Sequence, residues 1–112
     1  MSIQLSDLLQ NLYGVKSTFS VNKRVDTVGV TVVSIMSANP NRLSFLFVNN
    51  SVNNIYISPI NDVASTKGIY VSPGGGSVIF QWDRDFELVS SEWFAISTAA
   101  ASNVFILENI SV

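Results

Sequence analysis

Short apolar runs with a period of two, separated by clusters of turn-forming residues, dominate this chain from Lys16 onward and narrow what it can fold into. Val28, Val30 and Val32 alternate with Thr27, Gly29 and Thr31, the pattern of a strand with one buried face. Turn clusters follow at "SANPN" (37–41), "NNSVNN" (49–54), "SPGGGS" (72–77) and "TAAAS" (98–102). Pro40 forbids a continued ladder, and the glycines of the third cluster permit positive φ. Strands and turns that recur roughly every 8–12 residues mark an all-β sandwich or barrel.

The strand "RLSFLFVN" places Leu43, Phe45 and Phe47 on one face and Ser44, Leu46 and Val48 on the other. Both faces are largely apolar, as in a central strand covered on two sides. The Asn-rich connector then reads as the turn of a β-hairpin, with Ile55 and Ile57 facing the core on the return strand. Shorter strands are predicted around Ile69 and Val71, from Val78 to Trp82, from Trp93 to Ser97 and from Val104 to Leu107. The segment "DRDFELVSSE" (83–92) is expected to cross between strands. The predicted fold is a single small antiparallel β-sandwich, jelly-roll-like, with a body over residues 25–112. Its predicted core holds Leu43, Phe45, Phe47, Ile55, Ile57, Val78, Phe80, Phe94, Ile96 and Ile106.

Residues 1–24 read differently. Leu5, Leu8, Leu9 and Leu12 fall at i, i+3, i+4 and i+7, one stripe of a short helix. Ser6 suits the N-cap, Asp7 the positive helix start and Gly14 the stop. So short a helix does not persist undocked, so its stripe packs on its own body or on a neighbour. The following "VKSTFSVNKR" reads as an extended connector with a reach of ~3.3 Å per residue. We expect an arm that reaches a neighbouring subunit, with Leu5, Leu8, Leu9, Leu12 and Phe19 as its partner-binding residues.

Composition enters through the surface. Charged residues make up 12% of the chain, against about 25% in ordinary soluble domains. Ser and Asn take the place of the missing charges. Few charges leave little to keep free monomers apart, so such a surface suits a subunit covered by neighbours. A net charge of −2 predicts neither nucleic acid nor an anionic membrane as partner. "MSIQLSDLLQNLYG" lacks the basic start and unbroken apolar core of a secretory signal, and no apolar run is long enough to span a bilayer.

The chemistry of catalysis is thinly represented. The chain has no Cys and no His, which removes most catalytic triads and zinc sites. Asp83, Asp85 and Glu87 sit at i, i+2 and i+4, a spacing that on an extended segment puts three carboxylates on one side, within reach of a Ca²⁺. A solvated acidic strand is the preferred reading. A glycosidase-like pair with Asp62 or Glu92 has only sequence spacing behind it. "SPGGGS" lacks the Lys and following helix of a phosphate loop, and the sequons at Asn49 and Asn109 are chance matches. Tyr56, Tyr70, Trp82 and Trp93 would stack on sugars if exposed together, although aromatics at strand positions are usually core. No catalytic residue, cofactor or metal is expected.

From Arg42 onward, "NRLSFLFVNNSVNNIYISP", "TKGIYVSPGGGSVIF" and "EWFAISTAAASNVFILE" resemble small β-sandwich subunits of tailed-phage virions. The resemblance lies in an Arg-led strand ending in Asn, an "IYIS" strand, a "GI-x-V-x-PGG" turn and an "AIS" strand before a closing "V-x-I-L-E". It covers residues 42–108 and is shared by capsid decoration, head-fibre and tail-associated proteins. It implies a virion location and a structural, non-enzymatic role, with a capsid decoration or cementing subunit as the leading reading. The implied partners are other virion proteins, either a major capsid protein or neighbouring copies, with neither nucleic acid nor membrane. The alternative is a carbohydrate- or receptor-binding module of a tail or fibre.

Overall fold

The computed structural model describes residues 17–22 and 26–111. They form β1 (Ser17–Val21), β2 (Thr27–Val28), β3 (Val33–Met36), β4 (Arg42–Asn49), β5 (Ile55–Ser58), β6 (Ile69–Val71), β7 (Gly76–Gln81), β8 (Trp93–Ser97) and β9 (Ser102–Ser111). A helical turn (Trp82–Asp85) and a 3₁₀ helix (Phe86–Ser90) link β7 to β8. The strands make two antiparallel sheets. One has five strands in the order β1-β9-β4-β7, with β2 also on β9; the other has four in the order β3-β8-β5-β6.

Consecutive strands mostly change sheet. Among the described residues only β5 and β6 are successive strands that pair with each other. The predicted hairpin of β4 and β5 is therefore corrected. β4 already has β9 on one side and β7 on the other, so no edge remains for β5. "NNSVNN" carries the chain across to the second sheet instead. Asn49, fully buried, organises that crossing: its amide donates to the carbonyls of Asn53 (2.8 Å) and Val71 (3.0 Å), and its oxygen accepts from the Ser51 N–H and hydroxyl. The glycine turn locks onto the same loop, Gly74 N–H reaching Ser51 O and Gly75 N–H reaching Asn49 O. Both glycines have positive φ, as the sequence predicts.

The predicted strand over Val28, Val30 and Val32 also breaks. After Val28 the chain leaves β9 and crosses to β8, so Val30 and Val32 lie on the crossing and are exposed.

The shared core holds Val28, Ile35, Met36, Phe45, Phe47, Ile55, Ile57, Val71, Trp93, Ala95, Val104 and Ile106, with Val78 and Phe80 packed against it. Of the predicted core, Leu43, Phe94 and Ile96 fall outside it. Arg42 pairs with Ile110 but Ser44 with Asn109, so Leu43 is an extra residue in β4. This bulge turns Arg42 inward in Leu43's place. In β8 the sequence-predicted register is off by one. Trp93, Ala95 and Ser97 face inward, and Phe94 and Ile96 face away. Trp93 decides that register. Its ring lies 5.1 Å from Phe45 and 4.8 Å from Phe80, centroid to centroid, joining the two sheets, and its indole N–H reaches Leu88 O at 2.9 Å. An inward Trp with a satisfied N–H buries far more area than Phe94 would.

The predicted helix over Leu5–Leu12 lies outside the described residues, as does the boundary at residues 24 and 25. Ser17–Val21, inside the segment read as an arm, is β1, paired along its whole length with β9.

Candidate interaction surface

In an antiparallel sheet, directly opposed residues share a face. The ladders of the five-stranded sheet therefore place Val21, Leu107, Leu46 and Ile79 in one row across β1, β9, β4 and β7, on the face turned away from the core. The row on one side is Phe105, Val48 and Ser77; on the other side it is Phe19, Asn109, Ser44 and Gln81. No charged residue stands in these three rows. Phe19 is 71% exposed, Ile79 48%, Val21 43% and Phe105 37%. A sheet with one face to water ordinarily alternates apolar inward and polar outward, and here the outward positions of β4 and β9 are apolar as well. Phe19 is the one predicted partner-binding residue among the described residues. Leu5, Leu8, Leu9 and Leu12 are not among them.

The four-stranded sheet also turns apolar side chains outward. Tyr70, Tyr56 and Ile96 form a row, with Phe94 beside it. The two tyrosine rings lie 5.6 Å apart, and the Tyr70 hydroxyl donates to Asn54 Oδ1 at 3.2 Å. The four aromatics considered as a sugar platform are thus divided. Tyr56 and Tyr70 stand together, Trp82 is half-exposed beyond the end of β7, and Trp93 is core.

The sequence gives no hint of a buried ion pair. Arg42 Nε donates to Glu108 Oε2 at 2.8 Å, Nη1 to the carbonyls of Val89 and Ser91 at 3.0 Å each, and Nη2 to Ser37 O at 2.6 Å. The Asn22 amide donates to the other Glu108 oxygen. These groups floor a cleft of about 320 Å³ bounded by Asn22, Ser37, Ala38, Asn39 and Ile110. The arginine is engaged with protein acceptors, so the cleft is a joint between segments. Strict alternation backward from Phe45 puts residue 43 inside, and only the bulge brings Arg42 there.

The acidic segment is helical where an extended strand is predicted, so Asp83, Asp85 and Glu87 do not line one side. Asp85 accepts from the Gln81 N–H at 2.8 Å and from Arg84. The Arg84 guanidinium, then the Gln81 N–H, hold the Asp85 carboxyl below its ordinary range. Asp85 in turn raises Arg84. Among the described residues no group of three or more acidic side chains is placed to hold a metal ion, and no helix is long and apolar enough to cross a membrane. The Asn49 sequon is buried with its amide fully bonded.

Compared with family models, with curated proteins and with solved structures, the chain matches none.

Proposed function

We propose that the two sheets close into a jelly-roll sandwich and that the chain is a structural subunit of a tailed-phage virion, a decoration or cementing subunit of the shell. The observation that carries the assembly reading is the charge-free apolar row crossing four strands on the outward side of one sheet, with a second apolar row on the other. Burying such rows against neighbours is worth about 25 cal/mol per Å² and requires no catalytic group. The strand orders β1-β9-β4-β7 and β3-β8-β5-β6 support the architecture, since a jelly roll passes its chain between two four-stranded layers in this manner. The step from jelly roll to capsid is an analogy of fold, supported by the phage-like motifs over residues 42–108. Mass spectrometry of purified particles with a per-subunit copy estimate tests it. Hundreds of copies support a shell subunit, a dozen or fewer move it to neck or tail, and absence from particles ends the reading.

A second reading has its own observation. Jelly rolls also serve lectins, and the Tyr56–Tyr70 pair with Asn54 beside it offers ring faces and an amide on one surface. Glycan-array binding lost in Tyr70→Ala would favour a carbohydrate module. An array with no hits removes it.

A further inference from the structure

A sheet presents bare backbone along its edges, and an edge that is neither shielded nor paired invites another strand. Among the described residues the edge strands are β1 and β7 in the larger sheet, β3 and β6 in the smaller. Three of these are shielded. β6 has only three residues, and β3 has four with its ladder to β8 shifted between Ser34 and Met36. β7 is longer, but two of its edge-facing groups are taken. Gly74 N–H to Ser51 O sets the phase in which Gly76, Val78 and Phe80 bond to β4, so Ile79 and Gln81 face the open edge. There Arg84 Nη2 donates to Ile79 O, and the Gln81 N–H donates to Asp85 at 2.8 Å. The Arg84–Asp85 pair thus plugs the edge on which it sits.

β1 has no such device. "STFSV" carries no charge and no proline, its ladder to β9 runs without a bulge, and residues 18–21 are all exposed. Asn22 N–H to Ile106 O, at 2.9 Å, continues that ladder. In this phase Thr18 and Ser20 bond to β9, while Ser17, Phe19 and Val21 turn their N–H and C=O groups to the open edge. The strand is also self-complementary. Laid antiparallel on another β1 with Phe19 opposite Phe19, Thr18 meets Ser20 and the Ser17 backbone meets that of Val21. Phe19 then exchanges both backbone hydrogen bonds with its counterpart, as does Ser17 with Val21. Aromatic pairs and Thr–Ser pairs are favourable across strands.

We infer that β1 is a two-fold association edge, pairing antiparallel about Phe19 with β1 of a second copy. The plug on β7 denies β1 a different edge to take, so pairing closes at two copies instead of running on as a fibre. The Phe19 row of each copy continues into the other's, and the charge-free outward face extends over four strands from each. The joint is about 17 Å long and one strand deep, well below the ~800 Å² per partner of a standard interface. The pair is therefore weak and exchanges in solution. The inference goes beyond the virion reading and does not rest on it.

Sedimentation velocity of the full chain should show a dimer whose share rises with concentration. Phe19→Pro should stay monomeric and keep its melting transition, because the lost N–H faces the edge and not the β9 ladder. A wild-type chain that is monomeric up to its solubility limit overturns the inference. So does a Phe19→Pro chain that dimerises equally well, or a wild-type species that grows past the dimer. The second measurement needs no proline. The chain has no cysteine, so Thr18→Cys and Ser20→Cys chains can be mixed in equal amounts and oxidised. The mixed disulfide, identified by intact mass, should exceed either homodimer at least tenfold, because residues 18 and 20 stand opposite across the two-fold joint. The roughly twofold excess of unregistered collisions, or no disulfide at all, overturns the inference.

Discussion

Arg42 and Arg84 each donate Nε to a carboxylate, but Arg42 reaches Glu108 across 66 residues of sequence while Arg84 meets its neighbour Asp85. Both side chains of the first pair are buried, and the Arg84 side chain is 60% exposed. Arg42 also ties three carbonyls, from the β3–β4 turn and from either side of the end of the 3₁₀ helix, whereas Arg84 adds only Ile79 O. Removing two charges from water costs several kcal/mol per ion, and the attraction between them recovers this only with good geometry and further hydrogen bonds. The inner pair has both. Its role is therefore geometric: it fixes where β4, β9 and the β7–β8 crossing meet. The outer pair holds one helical turn closed and contributes little to the whole.

Cutting the inner pair should give the largest effect. Arg42→Ala leaves Glu108 buried without its cation and three carbonyls without their donor, and should cost about 3–5 kcal/mol in urea unfolding. A loss under ~1 kcal/mol would mean that water replaces the guanidinium and that the two pairs do not differ in kind. Glu108→Gln keeps shape and part of the bonding while removing the charge, and should cost about 1–3 kcal/mol by the same assay.

At the outer pair the effect should appear in pH dependence. The folded Asp85 carboxyl is depressed, so the unfolded chain binds its proton more readily. The resulting stability is fully present above the ordinary aspartate value near ~3.9 and is lost as pH falls through the lower folded value. Thermal melts should therefore show a shallower acid limb in Asp85→Asn, with a small loss of stability at neutral pH that disappears in acid. An unchanged acid limb would show that the Arg84 and Gln81 contacts do not persist in solution. Smallest of all should be Lys67→Ala, which removes an exposed pair to Asp62 at 3.6 Å. A shift beyond ~0.5 kcal/mol would contradict the low worth assigned to surface pairs.

The difference in depth also marks what was legible in the sequence. Strand positions follow from local alternation, and Phe45, Phe47, Ile55, Ile57 and Ile106 are core residues as that pattern predicts. Alternation has no view of which strand lies alongside. The β4–β5 connector has the composition of a hairpin turn, yet β7 and β9 already occupy both edges of β4. A single extra residue, Leu43, reverses the phase and sends an arginine inward, and nothing in "NRLSF" announces it. In β8 both phases are apolar, so the choice falls to the largest ring and the carbonyl of Leu88, which only the tertiary structure supplies. The outward row at Val21, Leu107, Leu46 and Ile79 was half legible: the two-sided apolar pattern of β4 points to a covered strand, but the cover itself is not local information.

β9 is the middle of the larger sheet, with β4 on one side and both β1 and β2 on the other. Of the described strands it is also the last to leave the ribosome. Until it arrives, β1 and β2 have no partner and β4 has one open edge, so the five-stranded layer cannot close during synthesis of the preceding residues. Pairing of β1 with β9 spans nearly the whole chain, which places this fold among those of high contact order that form slowly, in milliseconds to seconds. The apolar β4 waits through that interval with an unpaired ladder, the exposure that makes nascent β proteins prone to aggregate. Expression yield should therefore respond more sharply to substitutions in β9 than to equally destabilising ones in β6, an edge strand that pairs with its immediate predecessor.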